Sequence, residues 1–335
     1  MQRLPRGFVI DSSRIASLKD ITSMECYANA GGNVERRVLD GISFTVAGGQ
    51  RFALLGDELF DLKLLTEIIG NIKPYESGRC SLVGLGMMRE KQRILQQVYY
   101  VNDQRRIYPH MQGISYLMFA SRRTVKNAVD RQLLWLDRLM EFGLERLCFK
   151  YVRNMTLAER VLIHILLALD ISAPLLLLDL SHVDVPPELA DVYARLFERL
   201  TTEAGKTIVF STADSAFADK CATHAALLIA GRVREGHTGS LEALYESLDK
   251  RLYTLKVADD AAACEAVEGA FPALRAEAEG GILSVYGEKA DAPKPSLLIG
   301  ALEGAGIAVA HYAPSAPSLS EAMKAAVRAA AKEAK

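Results

Sequence analysis

Few residues in this chain stand where their types and spacing could do chemistry, and the densest group is acidic. Asp57, Glu58 and Asp61 follow the short apolar run Arg51-Phe52-Ala53-Leu54-Leu55-Gly56, with Lys63 just beyond them. Two like charges about 4 Å apart repel by about 1 kcal/mol in water and several-fold more when partly buried. That stretch is therefore a poor seat for a polyanion. Asp179 ends the run Leu175-Leu176-Leu177-Leu178, and Leu180 follows it, so no second carboxylate stands beside it as a general base. Gly205-Lys206-Thr207 has the ending of a phosphate-binding loop, but it lacks the upstream glycine and leads into an apolar run. It reads as a turn before a strand. His182 is a lone histidine at a strand exit. The five cysteines (Cys26, Cys80, Cys148, Cys221, Cys264) are dispersed with no C-x-x-C pair, which reads as reduced thiols without a zinc site or a disulfide framework.

The elements that must position these residues follow from the apolar pattern. The 335 residues suffice for one large domain and a small one. Half of them are hydrophobic and the net charge is −1, so no long-range field steers the chain onto nucleic acid or an anionic membrane. The most apolar stretch, Val161 to Leu180, is interrupted by His164, Asp170 and Pro174. A membrane span wants about 20 nearly uninterrupted apolar residues, so a buried helix running into a buried strand is expected here. The N-terminal Met-Gln-Arg-Leu-Pro lacks the apolar stretch of a signal peptide. The expectation is a soluble chain whose membrane association, if any, comes through a partner.

Strands are expected at Arg51–Leu55, Gln97–Val101, Leu175–Asp179, Thr207–Ser211 and Ala225–Ile229, alternating with helical patterns. Runs such as Leu175–Leu178 and Ile208–Phe210 are apolar at every position, as in parallel strands covered on both faces. The fold class is therefore α/β with crossover connections. After about Lys250 alanine becomes abundant. Arg251–Val257 reads as a strand, Ala261–Phe271 as a helix, and Ala273–Glu279 with Ile282–Tyr286 as a hairpin around Gly280-Gly281. Ser296–Ala305 reads as a helix and Ile307–Tyr312 as a strand, a βαββαβ order that matches a ferredoxin-like unit. A last helix runs from Ser318 to about Ala334, with Ser318 and Glu321 in capping-box positions. The expected division is an N-terminal extension over 1–22, a main domain over 23–248 and a C-terminal domain over 249–335.

Several landmarks stand in the order and spacing of ATP-binding-cassette (ABC) nucleotide-binding domains. Val38-Leu39-Asp40-Gly41-Ile42-Ser43-Phe44 resembles the family's early strand, and Arg51 to Gly56 the strand entering its P-loop. Ile69-Gly70-Asn71-Ile72-Lys73-Pro74-Tyr75-Glu76-Ser77-Gly78 is similar to the segment after the P-loop helix. Val101, then Ile107-Tyr108-Pro109-His110-Met111, resembles the Q-loop region and the start of the helical subdomain. Leu175 to Asp179 resembles a Walker B strand, Thr207 to Thr212 the strand before the switch histidine, and Gly231-Arg232-Val233 the hairpin that follows. Together they cover roughly residues 23 to 247. Ala316-Pro317-Ser318-Leu319-Ser320-Glu321-Ala322 resembles the accessory domain of some bacterial exporter ATPases.

What the resemblance implies is an ABC-type P-loop NTPase fold with a helical subdomain and a degenerate site. A working P-loop needs glycines, a lysine and a Ser/Thr, so that backbone N–H groups and an ammonium can cradle phosphates. Here Gly56 keeps the first glycine, Leu59 and Asp61 stand at glycine positions, Leu62 at the lysine and Lys63 at the Ser/Thr. A one-residue slip that lets Lys63 replace the lysine puts Leu64 toward the metal and restores nothing. Asp179 keeps the Walker B position and reads as structural, with Leu180 where the glutamate would stand. Asp103 takes the Q-loop position, with Gln104 next to it, and Ala213 takes the switch-histidine position. His224 is too far along the chain to replace it. Tyr27 is placed as the aromatic that would stack on adenine, or as packing. In the signature loop, Met155-Thr156-Leu157-Ala158-Glu159, Thr156 preserves a hydroxyl, while Leu157 and Glu159 add bulk and negative charge where a phosphate would be welcome.

The expected function is that of a catalytically inactive ATPase-like subunit in a bacterial ABC transporter, with a soluble interaction scaffold or residual ATP binding as alternatives. No metal and no cofactor are expected, ATP and Mg entering only if a partner rescues the site. The expected partners are ABC membrane subunits or a catalytically active ABC ATPase subunit, with a dimer possible and no nucleic acid. The expected location is cytoplasmic, peripheral on the inner face of the membrane.

Overall fold

Strands whose every residue is buried require cover on both faces, and the centre of this chain has them: Leu175 to Leu178 and Ile208 to Phe210 are fully buried. The computed structural model describes residues 13–29, 32–102, 108–246, 251–287, 292–314 and 318–333. The chain divides into two compact units, Met1–Leu241 with Ala326–Lys335, and Glu242–Ala325.

The chain begins with β1 (Ala16–Asn29), β2 (Gly32–Val46), β3 (Arg51–Gly56), α1 (Leu59–Ile69), β4 (Ser77–Leu82) and β5 (Leu85–Gly86). Next come α2 (Lys91–Ile94), β6 (Val98–Val101), α3 (Gly113–Ala120), α4 (Ala128–Glu141), α5 (Leu157–Leu167) and β7 (Leu175–Asp179). Then follow α6 (Pro187–Thr202), β8 (Thr207–Thr212), α7 (Ser215–Cys221), β9 (His224–Leu228), β10 (Thr238–Ser240) and α8 (Leu241–Glu246).

A six-stranded sheet has the order β10-β9-β3-β8-β7-β6. It is parallel throughout except for β10, which runs antiparallel to β9. One face packs on α1 through Leu175, Leu177, Val209 and Ala226, within the core that also takes in β1 and β2. The other face meets α6 and α7 in an aromatic cluster in which Phe210 lies 5.3 Å from Phe197 and 5.8 Å from Phe217. Strict alternation of Val209 and Phe210 to opposite faces is what the period of a strand demands.

A second sheet, antiparallel and ordered β2-β1-β4-β5, closes over the outer side of α1. Its first strand corrects the sequence reading. Ile15, Ala16, Leu18 and Ile21 are buried, so the ordered domain already includes residues assigned to an N-terminal extension. The pattern concealed this because β1 carries register shifts between Leu18 and Met24, and Asp20 takes a positive φ of 53°. A bulged strand breaks the alternation by which strands are recognised.

The helical segment is held by one buried indole. Trp135 of α4 is fully buried and its Nε1 donates to Ser121 Oγ at 2.7 Å, while Ser121 Oγ donates to the Leu117 carbonyl of α3 at 2.7 Å.

The second unit holds β11 (Arg251–Val257), α9 (Asp260–Ala270), β12 (Arg275–Glu279), β13 (Ile282–Tyr286), α10 (Pro295–Gly304) and β14 (Val309–Pro314). The terminal α11 (Leu319–Glu333) follows. This is the expected βαββαβ order, with an antiparallel sheet ordered β12-β13-β11-β14. Leu255, Leu283 and Val285 pack against Ala263 and Val267 of α9 and Leu298 and Leu302 of α10.

Gly231, in the turn after β9, has φ +72°, and a Cβ there would lie 2.0 Å from the carbonyl oxygen of Val38. Its own carbonyl accepts the Asp40 N–H at 2.9 Å, and Arg232 pairs with Asp40. Gly231→Ala must therefore move the turn away from β2. We expect it to destabilise the first unit by roughly 3 kcal/mol, read as a lowered urea midpoint with an unchanged slope.

Candidate functional site

In an open parallel sheet the crevice at the carboxyl ends of the strands is where ligands bind. Here β3, β8 and β7 end together: Leu55 is in register with Thr212, and Asp179 with Ser211. Gly56 and Asp57, Asp179 and Leu180, and Thr212 and Ala213 therefore share one edge.

Only Asp57 and Glu58 separate β3 from α1. Leu62 N–H already donates to the Glu58 carbonyl at 3.2 Å, closing the first helical turn. Leu62 itself is fully buried. Its side chain folds back onto the end of β3, so that a Cβ added to Gly56 would meet Leu62 Cγ at 3.0 Å and the Leu228 carbonyl oxygen at 3.1 Å. The space over Gly56 is taken by the Leu62 isobutyl group and the Leu228 carbonyl.

The acids around it are arranged for the fold. Asp57 is exposed and accepts the Ala230 N–H at 3.3 Å. Glu58 is the residue before α1 and makes no side-chain cap, leaving buried Asp61 as the acid in the first helical turn. A carboxylate there complements the positive end of the helix dipole. Lys63 is partly exposed on α1.

Asp179 is buried and its Oδ1 accepts from Ser181 Oγ at 2.6 Å, Ser211 Oγ at 3.1 Å and Ser181 N–H at 3.3 Å. Leu180 is buried too, its N–H donating to the Ser211 carbonyl at 3.1 Å. Ala213 is exposed, beside Asp214, which caps α7 through the N–H groups of Ala216 and Phe217. His182 is exposed. His224 opens β9 in register with Phe52, at the opposite end of the sheet from Ala213. Its ring lies 2.9 Å from Gln50 Nε2, and burial lowers its pKa.

Lys206 is likewise structural. Its ammonium donates to the Ile171 and Ala173 carbonyls, and burial lowers its pKa. Asp103 and Gln104 lie outside the described residues, as does the side chain of Tyr27, whose backbone pairs with Val34.

The N-terminus of α5 is closed from within. Thr156 Oγ1 accepts the Glu159 N–H at 3.2 Å while Glu159 Oε2 accepts the Thr156 N–H at 2.9 Å, a reciprocal capping box. Glu159 is buried, 2.6 Å from Lys150 Nζ and 3.4 Å from Arg146. Burial alone would raise its pKa, but the Lys150 bond, the Thr156 N–H and the charges of Lys150 and Arg146 carry it below the ordinary value. The sequence reading identified Thr156 and Glu159 but not these partners. Lys150 sits in a loop nine residues earlier, with no helical spacing to betray it.

No protein-family profile matches the chain. Over 203 residues it is 24% identical to the glutamine transport ATP-binding protein GlnQ of Escherichia coli (strain K12), covering 59% of this chain and 84% of that one. It is 26% identical over 206 residues to the glycine betaine/carnitine/choline transport ATP-binding protein OpuCA of Bacillus subtilis (strain 168), spanning 53% of that protein. Among solved structures, CbiO1 from Clostridium perfringens, part of the ABC transporter complex CbiONQ, superposes with a TM-score of 0.55 at 17% identity. That match covers 70% of this chain and 92% of CbiO1. The fold is that of an ABC ATP-binding domain.

Because Glu159 titrates below the ordinary 4.5 in the folded chain, its stabilisation is complete above about that pH and is lost as pH falls through the lower folded value. Glu159→Gln should cost about 2 kcal/mol at neutral pH. The gap from the parent should close in acid, measured by denaturant unfolding at a series of pH values.

Proposed function

We propose that this chain is an ABC ATPase-like subunit that does not hydrolyse ATP and that acts as a structural or regulatory member of a bacterial ABC transporter complex. The observation that carries the reading is the buried side chain of Leu62 packed over Gly56, where the fold would otherwise seat phosphate beside a lysine ammonium. The rest of the edge agrees with it. Leu180 replaces a potential general base with a buried alkyl group, Ala213 replaces an imidazole, and Asp179 spends its Oδ1 on two serine hydroxyls. Without a general base, a phosphate cradle or a proton acceptor at the switch position, an attacking water is neither oriented nor activated. Thr156, bound into its own capping box, has little to offer a nucleotide held by a partner.

What remains is a recognition surface. Tyr108, Phe149 and Tyr151 are exposed at 56%, 72% and 41%. The segment around Pro109 and Met111 is tied to Val152 and Arg153 by backbone bonds. Arg122 lies over Phe119, which meets Tyr108 edge-on, and Arg153 lies over Tyr151. Exposed aromatics with arginines are the composition of protein interfaces. In this reading the surface takes a membrane subunit or an active ATPase subunit, and the second unit serves as an accessory domain. Among the described residues no helix is long and apolar enough to cross a membrane, so attachment to the bilayer runs through the partner. GlnQ and OpuCA are named as transport ATP-binding proteins, and CbiO1 as part of a transporter complex.

The decisive measurement is equilibrium binding of a fluorescent ATP analogue with Mg²⁺ to the purified chain. No saturable binding up to millimolar analogue is expected, whereas micromolar affinity would overturn the reading. The partner half is tested by purification from detergent-solubilised cells. An integral membrane protein should accompany the chain and be lost from a Phe149→Ala/Tyr151→Ala variant; a purely soluble partner would favour a scaffold outside transport.

A further inference from the structure

The helix α4 is amphipathic twice over. Its inner face buries Trp135 and Leu139. Its outer face carries Val129, Leu133 and Met140, exposed at 63%, 54% and 62%, with Leu136 half-buried between them. These four follow one another at intervals of four, three and four residues, which sets them in single file along one side of the helix. Scattered exposed apolar residues are ordinary; a file with this spacing is the seam by which one helix receives the knobs of another.

The flank of the seam says what the incoming helix carries. Asp130 and Asp137 each follow a seam residue by one position, are seven residues apart and so line the same side, and both are exposed. Neither makes an ion pair among the described residues. The cations nearest in sequence are engaged elsewhere. Arg138 forms a bidentate pair with Asp170, both contacts 2.8 Å, and lies over the Trp135 ring, while Arg131 donates to the Val125 carbonyl at 2.6 Å. A second copy of this chain does not complement the seam. Packed antiparallel, the two aspartate rows would face one another; packed parallel, they would face Gln132, which carries no charge, and the position of Leu139, which is turned into the core.

We propose that the outer face of α4 docks an amphipathic helix of a partner protein, with lysine or arginine beside its apolar seam. This surface is distinct from the nucleotide edge and stands whatever the fate of ATP there. The test uses the full chain and two synthetic helical peptides of about three heptads with the same leucine seam, one flanked by lysines and one by glutamates. Binding is followed by fluorescence anisotropy. The lysine peptide should bind at least about tenfold more tightly than the glutamate peptide. A Leu133→Gln/Met140→Gln variant should lose at least about tenfold of that affinity, and Asp130→Lys/Asp137→Lys should reverse the preference. These side chains face solvent, so far-ultraviolet circular dichroism should be unchanged in both variants. Equal affinity for the two peptides, absence of binding, or insensitivity to the glutamines would overturn the proposal. So would a dimer in sedimentation that Leu133→Gln/Met140→Gln dissolves, which would assign the seam to a second copy instead.

Discussion

The contact between Leu62 and Gly56 sets the terms for the rest of the first unit. A phosphate-binding loop holds a helix away from the strand that precedes it, because backbone N–H groups must turn inward around an anion. Here the Leu62 isobutyl group lies against Gly56, and α1 starts after two intervening residues and closes its first turn against Glu58. Leu64, Leu65, Ile68 and Ile69 then enter the core between the two sheets. The local sequence and the tertiary packing agree, and such consistency across levels lets a sequence specify one structure.

A second regularity is that anions at the helix starts come from the protein itself. Asp61 stands in the first turn of α1, Asp214 caps α7, and Glu159 caps α5 with Lys150 and Arg146 against its outer oxygens. Each carboxylate offsets the helix dipole, and the Asp214 cap and the Thr156–Glu159 box also satisfy orphan N–H groups. The Asp179 carboxylate is shared in the same way between serines on its own chain exit and on β8. The carboxylates of Asp179, Asp214 and Glu159 are thus engaged by neighbours within the chain.

How far this was legible in the sequence depended on the range of the interaction. The buried parallel strands are written in unbroken apolar runs, so Leu175–Asp179 and Thr207–Ser211 could be placed within a residue. The βαββαβ order of the second unit follows from short, separate patterns with a Gly-Gly turn. The long strand β1 was hidden because its bulge near Asp20 disturbs the alternation. That Leu62, Leu180 and Ala213 stand where the resembled family carries a lysine, a glutamate and a histidine could be read residue by residue. That Leu62 would turn inward, that Ser211 would meet Asp179 across a strand, and that Lys150 would reach Glu159 could not. Each depends on elements far apart in sequence or on a loop with no period, and only the register of the sheet brings them together.

The chain has a single tryptophan, and Trp135 is the residue whose indole N–H joins α4 to Ser121 and, through it, to α3. Its emission therefore arises wholly from the interior of the helical segment, from a buried and hydrogen-bonded indole. The second unit contributes only tyrosine and phenylalanine to the absorption of the molecule. Selective excitation of the indole thus observes one pair of helices and nothing else, which gives this protein an intrinsic optical label at the place where α3 and α4 meet.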